Sequence, residues 1–259
     1  MTAYPASRIN AIDVLRGIVM IIMALDHTRD FFHITAFTDD PLNLETTTIP
    51  LYFTRWITHF CAPVFLFLSG TSAFLSSRNK SKEAASAFLI KRGLWLVLIE
   101  ITVITFGLTF NPFYNFIFFQ VIWAIGWSMV LLGLFLRFSY RAILITGLLL
   151  FFGHNLTNHL PLPTEGPASN LLKILLTASG TILRIDDQHF IGVFYAILPW
   201  TGAMFAGYAF GNIYALDFTS AKRRQILLLL GGGLVLLFIV LRMVNHYGDP
   251  VPRKIYPDT

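Results

Sequence analysis

Residues 226–241 read Ile-Leu-Leu-Leu-Leu-Gly-Gly-Gly-Leu-Val-Leu-Leu-Phe-Ile-Val-Leu, sixteen positions with no charge and no polar side chain. A helix that is apolar on every side has to be buried in protein or in lipid. A strand of an outer-membrane barrel would alternate apolar and polar over about ten residues, and this stretch does not. It reads as a membrane-spanning helix, and the rest of the chain agrees. Of 259 residues, 55% are hydrophobic and 13% charged, and 25 are Phe. Ordinary globular chains carry roughly 25% charged residues. A water-soluble enzyme is excluded, and the expected fold class is all-α, a polytopic helical membrane protein.

Apolar runs near the ~20-residue length that a bilayer demands fall at about 11–33, 52–76, 87–109, 114–136, 140–157, 189–213 and 226–244. That gives about seven transmembrane helices. The fifth is the weakest, because His154 and Asn155 follow its apolar part, so it is expected to be short, tilted or broken. The stretch 170–183 carries Lys173 and Gly180 and reads as an interfacial or re-entrant helix. No cleavage site of small residues follows the first run, so that run is expected to be retained as a helix. No internal repeat or low-complexity linker appears, and residues 1–259 are expected to form a single domain.

Basic residues between the runs give the orientation. Arg8, Arg78, Lys80, Lys82, Lys91, Arg92, Arg137, Arg141, Lys222, Arg223 and Arg224 fall on one side, eleven in all, against Lys173, Arg184, Arg242, Arg253 and Lys254, five, on the other. The N-terminus is therefore expected in the cytoplasm and Asp39, Asp40 and Glu45 outside. Read this way, the net charge of +5 is a topology signal and gives no reason to expect a nucleic-acid partner. The single cysteine, Cys61, cannot form an intramolecular disulfide and reads as a small buried hydrophobe.

The first run is unlike the others. Asp13, Arg16, Asp26, His27, Arg29, Asp30 and His33 lie in it or at its ends. A charge at the bilayer centre costs roughly 2.5–3.5 kcal/mol on insertion scales. On a helical wheel measured from Arg16, His27 falls at roughly +20°, Asp30 at roughly −40° and Asp13 at roughly +60°, so these four share a face. Arg16 and His27 are three turns apart, about 16 Å along the axis. Asp26 and Arg29, three residues apart, could pair. The competing reading is that Asp13 and Arg16 are a solvated helix start and residues 26–33 a solvated helix end. It explains Arg16 and His27 poorly, because both sit within the apolar run.

The segment Arg8-x4-Asp13-Val-Leu-Arg16-Gly17, with ten residues between Arg16 and His27, resembles the R-x10-H signature of membrane acyltransferases related to heparan-alpha-glucosaminide N-acetyltransferase and of the type 3 acyltransferases. Two further segments are similar to that family. One is Pro63-Val-Phe-Leu-Phe-Leu-Ser69-Gly70, and the other runs from Leu198-Pro199-Trp200 to Gly207-Tyr208-Ala-Phe-Gly211, which resembles the bacterial branch. The resemblance implies an integral multi-pass enzyme of the bacterial inner membrane, in contact with membrane lipids. It would move an acyl group, typically acetyl, from cytoplasmic acetyl-CoA or another acyl-CoA to a hydroxyl or amine of a glycan or similar saccharide acceptor outside. The residues matching its motif are Arg16 and His27. Family members usually continue past a segment like Gly248-Asp249-Pro250, so this chain is expected to lack C-terminal helices of the family.

The residues themselves suit that chemistry. Attack on a thioester needs a general base, and histidine serves at neutral pH. His27 fits that role, for direct transfer or for an acyl-histidine intermediate, and Asp30 is placed to hold its tautomer. Arg16, with Asp13 beside it, suits a phosphate-bearing donor, because a guanidinium binds phosphate through a planar fork. No metal or haem is called for.

Secondary candidates for the acceptor end are His33, Arg55 and His59, the last two sharing a face of the second run, together with Asp187 and His189 before the sixth run. Against this, Arg55 could snorkel to the interface and His59 could be a bonded core residue. Ser69 and Gly70 read as close helix packing. Glu100, an acid deep in the third run, is either functional or pairs with Arg16 or a backbone donor. Gln120, Trp123 and Trp127 form either a packing face or a wall of the site. A second function class stays open, a proton-coupled small-molecule transporter, for which Asp13, Arg16, Glu100 and the broken fifth run would be the machinery. A third, a haem-binding electron carrier, would need facing histidine pairs, and only His27 and His59 suggest one.

Overall fold

The computed structural model describes residues 9–36, 38–159, 163–177, 181–214 and 218–244. Arg8, Gly180, Gly248, Asp249, Pro250, Arg253 and Lys254, which the sequence reading used, lie outside these residues. Ten α-helices are described: α1 Asn10–Phe32, α2 Ile49–Thr58, α3 Cys61–Ser77, α4 Lys82–Ile99, α5 Thr105–Thr109, α6 Val121–Phe135, α7 Tyr140–Gly153, α8 Gly166–Leu172, α9 Ile197–Phe210 and α10 Ser220–Val244. Three short strands accompany them, β1 Phe116–Phe119, β2 Thr181–Arg184 and β3 Phe190–Val193.

The chain is mostly helical, as expected, but it is not all-α, because three short strands accompany the helices. The runs expected as helices over 114–136 and 189–213 each begin with a strand, and the expected interfacial helix over 170–183 gives way to β2. The strand sequences, Phe-Ile-Phe-Phe, Thr-Ile-Leu-Arg and Phe-Ile-Gly-Val, are rich in aromatic and β-branched residues, which pack well on a pleated surface. β3 is central, parallel to β1 and antiparallel to β2, with Phe116 opposite Phe190 and Thr181 opposite Val193. Apolarity alone does not distinguish a short buried strand from a helical turn.

Other boundaries hold or shift slightly. α1 matches the first run. The second run divides into α2 and α3 at a turn over His59 and Phe60, just ahead of Pro63, and the third continues from α4 through a π-helix, Glu100–Ile104, into α5. The fifth run is short, as expected: α7 gives way to a 3-10 helix over His154–His159. Two helical stretches, Ile49–Ser77 and Ser220–Val244, are long and apolar enough to cross a membrane on their own. α1 is 23 residues long but carries too much charge to read that way by composition.

The chain divides into two compact units, residues 1–69 and 70–259, with the boundary inside α3. In the first, α1 packs on α2. In the second, α4 packs on α6, α6 on α9 and α7 on α9. Glycines let these helices approach closely. A Cβ on Gly93 of α4 would lie 2.4 Å from the carbonyl oxygen of Gly126 on α6, and one on Gly126 would lie 2.8 Å from the carbonyl of Gly93. Gly70 bears out its expected packing role, since a Cβ there would fall 1.9 Å from the Met204 carbonyl oxygen on α9. Around these seams Leu89, Leu132, Ile143, Met204 and Phe205 form a buried core. α10 contributes no buried residue, and its stretch 226–241 is apolar on every side.

Candidate functional site

Within the first unit, α1 carries two polar clusters. Toward its N-terminal end the Arg16 guanidinium lies 3.8 Å from the Asp13 carboxylate, one turn apart, with both side chains about one-third exposed. His27, three turns on, is more than half exposed and borders a shallow apolar groove that Met20, Met23, Phe31 and Phe32 line. Its Nδ1 stands 4.0 Å from Asp30 Oδ2. That is an ion-pair distance, longer than a hydrogen bond. Asp30 is held instead by its neighbour Arg29, whose Nε donates to Oδ1 at 3.2 Å and whose Nη2 donates to the same oxygen.

The best-protected ions in this unit centre on Asp26, which the sequence reading gave only a possible partner. Arg29 Nη2 lies 3.2 Å from Asp26 Oδ1 on the same helix. From α2, Arg55 Nη1 donates to Oδ1 at 3.2 Å and Oδ2 at 3.1 Å, and Thr58 Oγ1 donates to Oδ1 at 2.9 Å. The Asp26 and Arg29 side chains are only 17% and 11% exposed, so this part of α1 is not a solvated helix end. Burial makes the pairing necessary, because an unpaired charge here would lose its hydration without compensation. Thr58 had no signal in composition. Its place three residues after Arg55 would have revealed it once Arg55 was paired across helices.

The remaining candidates of this unit are bonded locally. His33 Nδ1 lies 3.1 Å from Thr35 Oγ1, and His59 Nδ1 lies 2.8 Å from the Arg55 carbonyl, both rings being exposed. Cys61 is buried, with Sγ 3.7 Å from the Val19 carbonyl, as a small core residue should be.

In the second unit, Asp187 and His189 sit on the exposed turn between β2 and β3. Arg184 pairs with Asp187, and His189 Nδ1 lies 2.8 Å from Asp186 Oδ2. Asp186 also accepts the backbone N–H of Gln188 and of His189, each at 2.8 Å. These bonds, led by that from Gln188, hold its carboxyl below the usual carboxylate range. Glu100 is fully buried at the start of the π-helix, and its Oε1 accepts the Gln120 backbone N–H at 3.1 Å. A backbone donor is therefore present for Oε1, while Oε2 is buried without a hydrogen-bond partner among the described residues. Trp123 stacks on Phe119 with centroids 3.7 Å apart and meets Trp127 edge-on at 5.7 Å, a packing face. No group of three or more metal-ligating side chains occurs among the described residues.

The first helix of this helix-rich chain thus presents an arginine and, three turns on, an exposed histidine beside an apolar groove. A family model described as heparan-alpha-glucosaminide N-acetyltransferase, catalytic, matches residues 8–240, and the chain belongs to that family. It is thereby an acetyltransferase in the general sense, and the match extends over the middle helices, where sequence motifs are absent. No curated protein and no solved structure matches the chain.

Proposed function

We propose that this protein is an integral-membrane acetyltransferase that carries an acetyl group from cytoplasmic acetyl-CoA to a hydroxyl or amine of a glycan outside a bacterial inner membrane. The observation that carries the reading is the family match across both Arg16 and His27, together with the exposure of His27 on the same helix. In this reading an unprotonated His27 nitrogen takes the proton of the acceptor O–H or N–H as that atom attacks the thioester carbonyl carbon. The C–S bond then breaks, and the departing thiolate takes the proton back from the imidazolium. Asp30, whose Oδ2 lies 4.0 Å from His27 Nδ1, is the carboxylate placed to orient the imidazole. Arg16, with Asp13 at 3.8 Å, meets donor phosphate about 16 Å along the helix from His27. His33, Arg55 and His59 stand at the acceptor end of α1 and α2, where Arg55 acts through its hold on Asp26. Asp187 and His189 are acceptor contacts of the second unit.

About seven membrane crossings, a cytoplasmic N-terminus and one domain spanning 1–259 belong to the same proposal, supported by the eleven-to-five charge bias and the apolar runs. The transport reading has less behind it, because Glu100, its intramembrane carboxylate, is engaged in holding the Gln120 backbone N–H. The experiment is turnover of acetyl-CoA by the purified full chain in nanodiscs with saccharide acceptors, following CoA release and acetylated product. Acceptor-dependent transfer supports the proposal. Substrate uptake into proteoliposomes without any transfer contradicts it.

A further inference from the structure

The second unit contains a cavity of about 310 Å³ that the mechanism above does not use. Its walls are aromatic, with Phe74, Phe138, Tyr140 and Tyr208 among the lining residues, and two ammonium groups, Lys80 and Lys82, line it as well. The rings are fixed from behind. Phe74 meets Tyr208 edge-on with centroids 5.3 Å apart, and Tyr140 Oη donates to the Ala209 carbonyl at 2.7 Å. Both lysines are exposed, and among the described residues neither has a carboxylate within ion-pair distance. Lys80 Nζ instead rests 4.0 Å over the Phe88 ring, an interaction it can exchange for an anion. Arg137 lies in the chain between the lining residues Leu136 and Phe138 and adds positive charge to this rim, against which Glu83 is the nearby acid.

Each component narrows the ligand class. A metal would need carboxylates or imidazoles among the lining residues. A neutral saccharide has no use for two ammonium groups, and an acyl chain has none either. Aromatic walls with cations at the opening suit a flat heteroaromatic ring that carries phosphate. The volume lies at the lower end of small-molecule pockets, roughly 300–1,000 Å³, enough for part of a large cofactor and too little for all of it. Lys80 and Lys82 also belong to the basic set that the charge bias puts in the cytoplasm, where the proposed donor is found.

We infer that this cavity binds the phosphorylated adenosine end of the acyl-CoA donor, with Lys80 and Lys82 on its phosphates and the aromatic walls on its base. The inference rests on the acetyl-CoA reading above. It assigns recognition of the nucleotide end of the donor to residues of the second unit.

The probe is adenosine 3′,5′-bisphosphate, measured by equilibrium dialysis against the full chain in nanodiscs of zwitterionic lipid. Binding should weaken at least about 10-fold in the double variant Lys80→Ala/Lys82→Ala, as expected for loss of charge-assisted contacts. Phe138→Ala, on the exposed rim, should weaken it separately. With acetyl-CoA as donor, the double variant should raise KM by a similar factor and leave kcat in place, whereas with S-acetylpantetheine, which lacks the nucleotide, both parameters should stay as in the wild type. No binding of the bisphosphate to the wild-type chain, binding unchanged in the double variant, or equal losses with both donors would overturn the assignment. So would a wild-type chain that ignores the bisphosphate but gains thermal stability in phosphatidylglycerol nanodiscs, a gain lost in the double variant, which marks a lipid headgroup site. If the wild type transfers no acetyl from either donor but binds the bisphosphate through these lysines, the cavity assignment stands and the acetyl-transfer reading falls.

Discussion

Arg55 on α2 donates from one guanidinium nitrogen to both carboxylate oxygens of Asp26 on α1, at 3.2 and 3.1 Å. With Thr58, which donates to the same carboxylate, it ties α2 to α1, and it lies one residue from His27. Removing either partner leaves the other charged group poorly solvated. Asp26→Asn or Arg55→Ala should each lower stability by about 1.5–3 kcal/mol, the range for hydrogen bonds to charged groups. Thermal unfolding of the two single variants and the double variant checks this. The double variant should lose clearly less than the sum, whereas simple additivity would mean the pair is not coupled.

The glycines divide into two kinds by what a methyl group would meet. On Gly93 it would fall 2.4 Å from a backbone oxygen of α6, whereas around Gly231, Gly232 and Gly233 nothing lies within 4 Å. Gly93→Ala should therefore push α4 from α6 and cost about 1–3 kcal/mol or more. Gly232→Ala should be neutral or stabilising by up to about 1 kcal/mol, the helix-propensity gain. Melting temperatures of the purified variants separate the two cases.

Glu100 tests structure against transport. Glu100→Gln keeps an oxygen for the Gln120 backbone N–H, so stability and acetyl transfer should both remain near wild type. Glu100→Ala leaves that partly buried N–H unpaired and should cost about 1–3 kcal/mol. Loss of activity in a well-folded Glu100→Gln chain would instead assign the carboxyl a proton-carrying role.

Acid should loosen the β2–β3 turn before the helical core. The folded-state pKa of Asp186 is depressed by the Gln188 N–H and by His189, so its contribution is present above the ordinary aspartate pKa and is lost as pH falls through the lower folded value. Amide exchange at Gln188 and His189 should accelerate, after correction for intrinsic rates, only below about pH 4. In Asp186→Asn the protection should already be reduced at neutral pH.

Much of the helical framework was legible from apolar run length, including α1, α10 and the weakness of α7, because a bilayer selects length and hydropathy directly. The strands were not, since Phe116–Phe119 and Phe190–Val193 are as apolar as the helices they precede, and their pairing joins segments more than seventy residues apart. On α1, the spacing of Arg16, His27 and Asp30 followed from helical geometry alone. The role of Asp26 did not, because its strongest partner, Arg55, comes from another helix and no periodicity within one segment can reveal it. The distance between His27 and Asp30 was also beyond the sequence, since Arg29, adjacent in the chain, competes for the same carboxylate.

The central claim is that His27 is the base of an acetyl transfer for which Arg16 holds the donor. The most direct measurement compares His27→Ala and Arg16→Ala by steady-state transfer from acetyl-CoA alongside donor binding at equilibrium. His27→Ala should lower kcat by at least about 10²-fold with donor affinity largely kept, and Arg16→Ala should raise the donor KM by about 10- to 100-fold. Full turnover by a His27→Ala chain that binds acetyl-CoA normally would contradict the account.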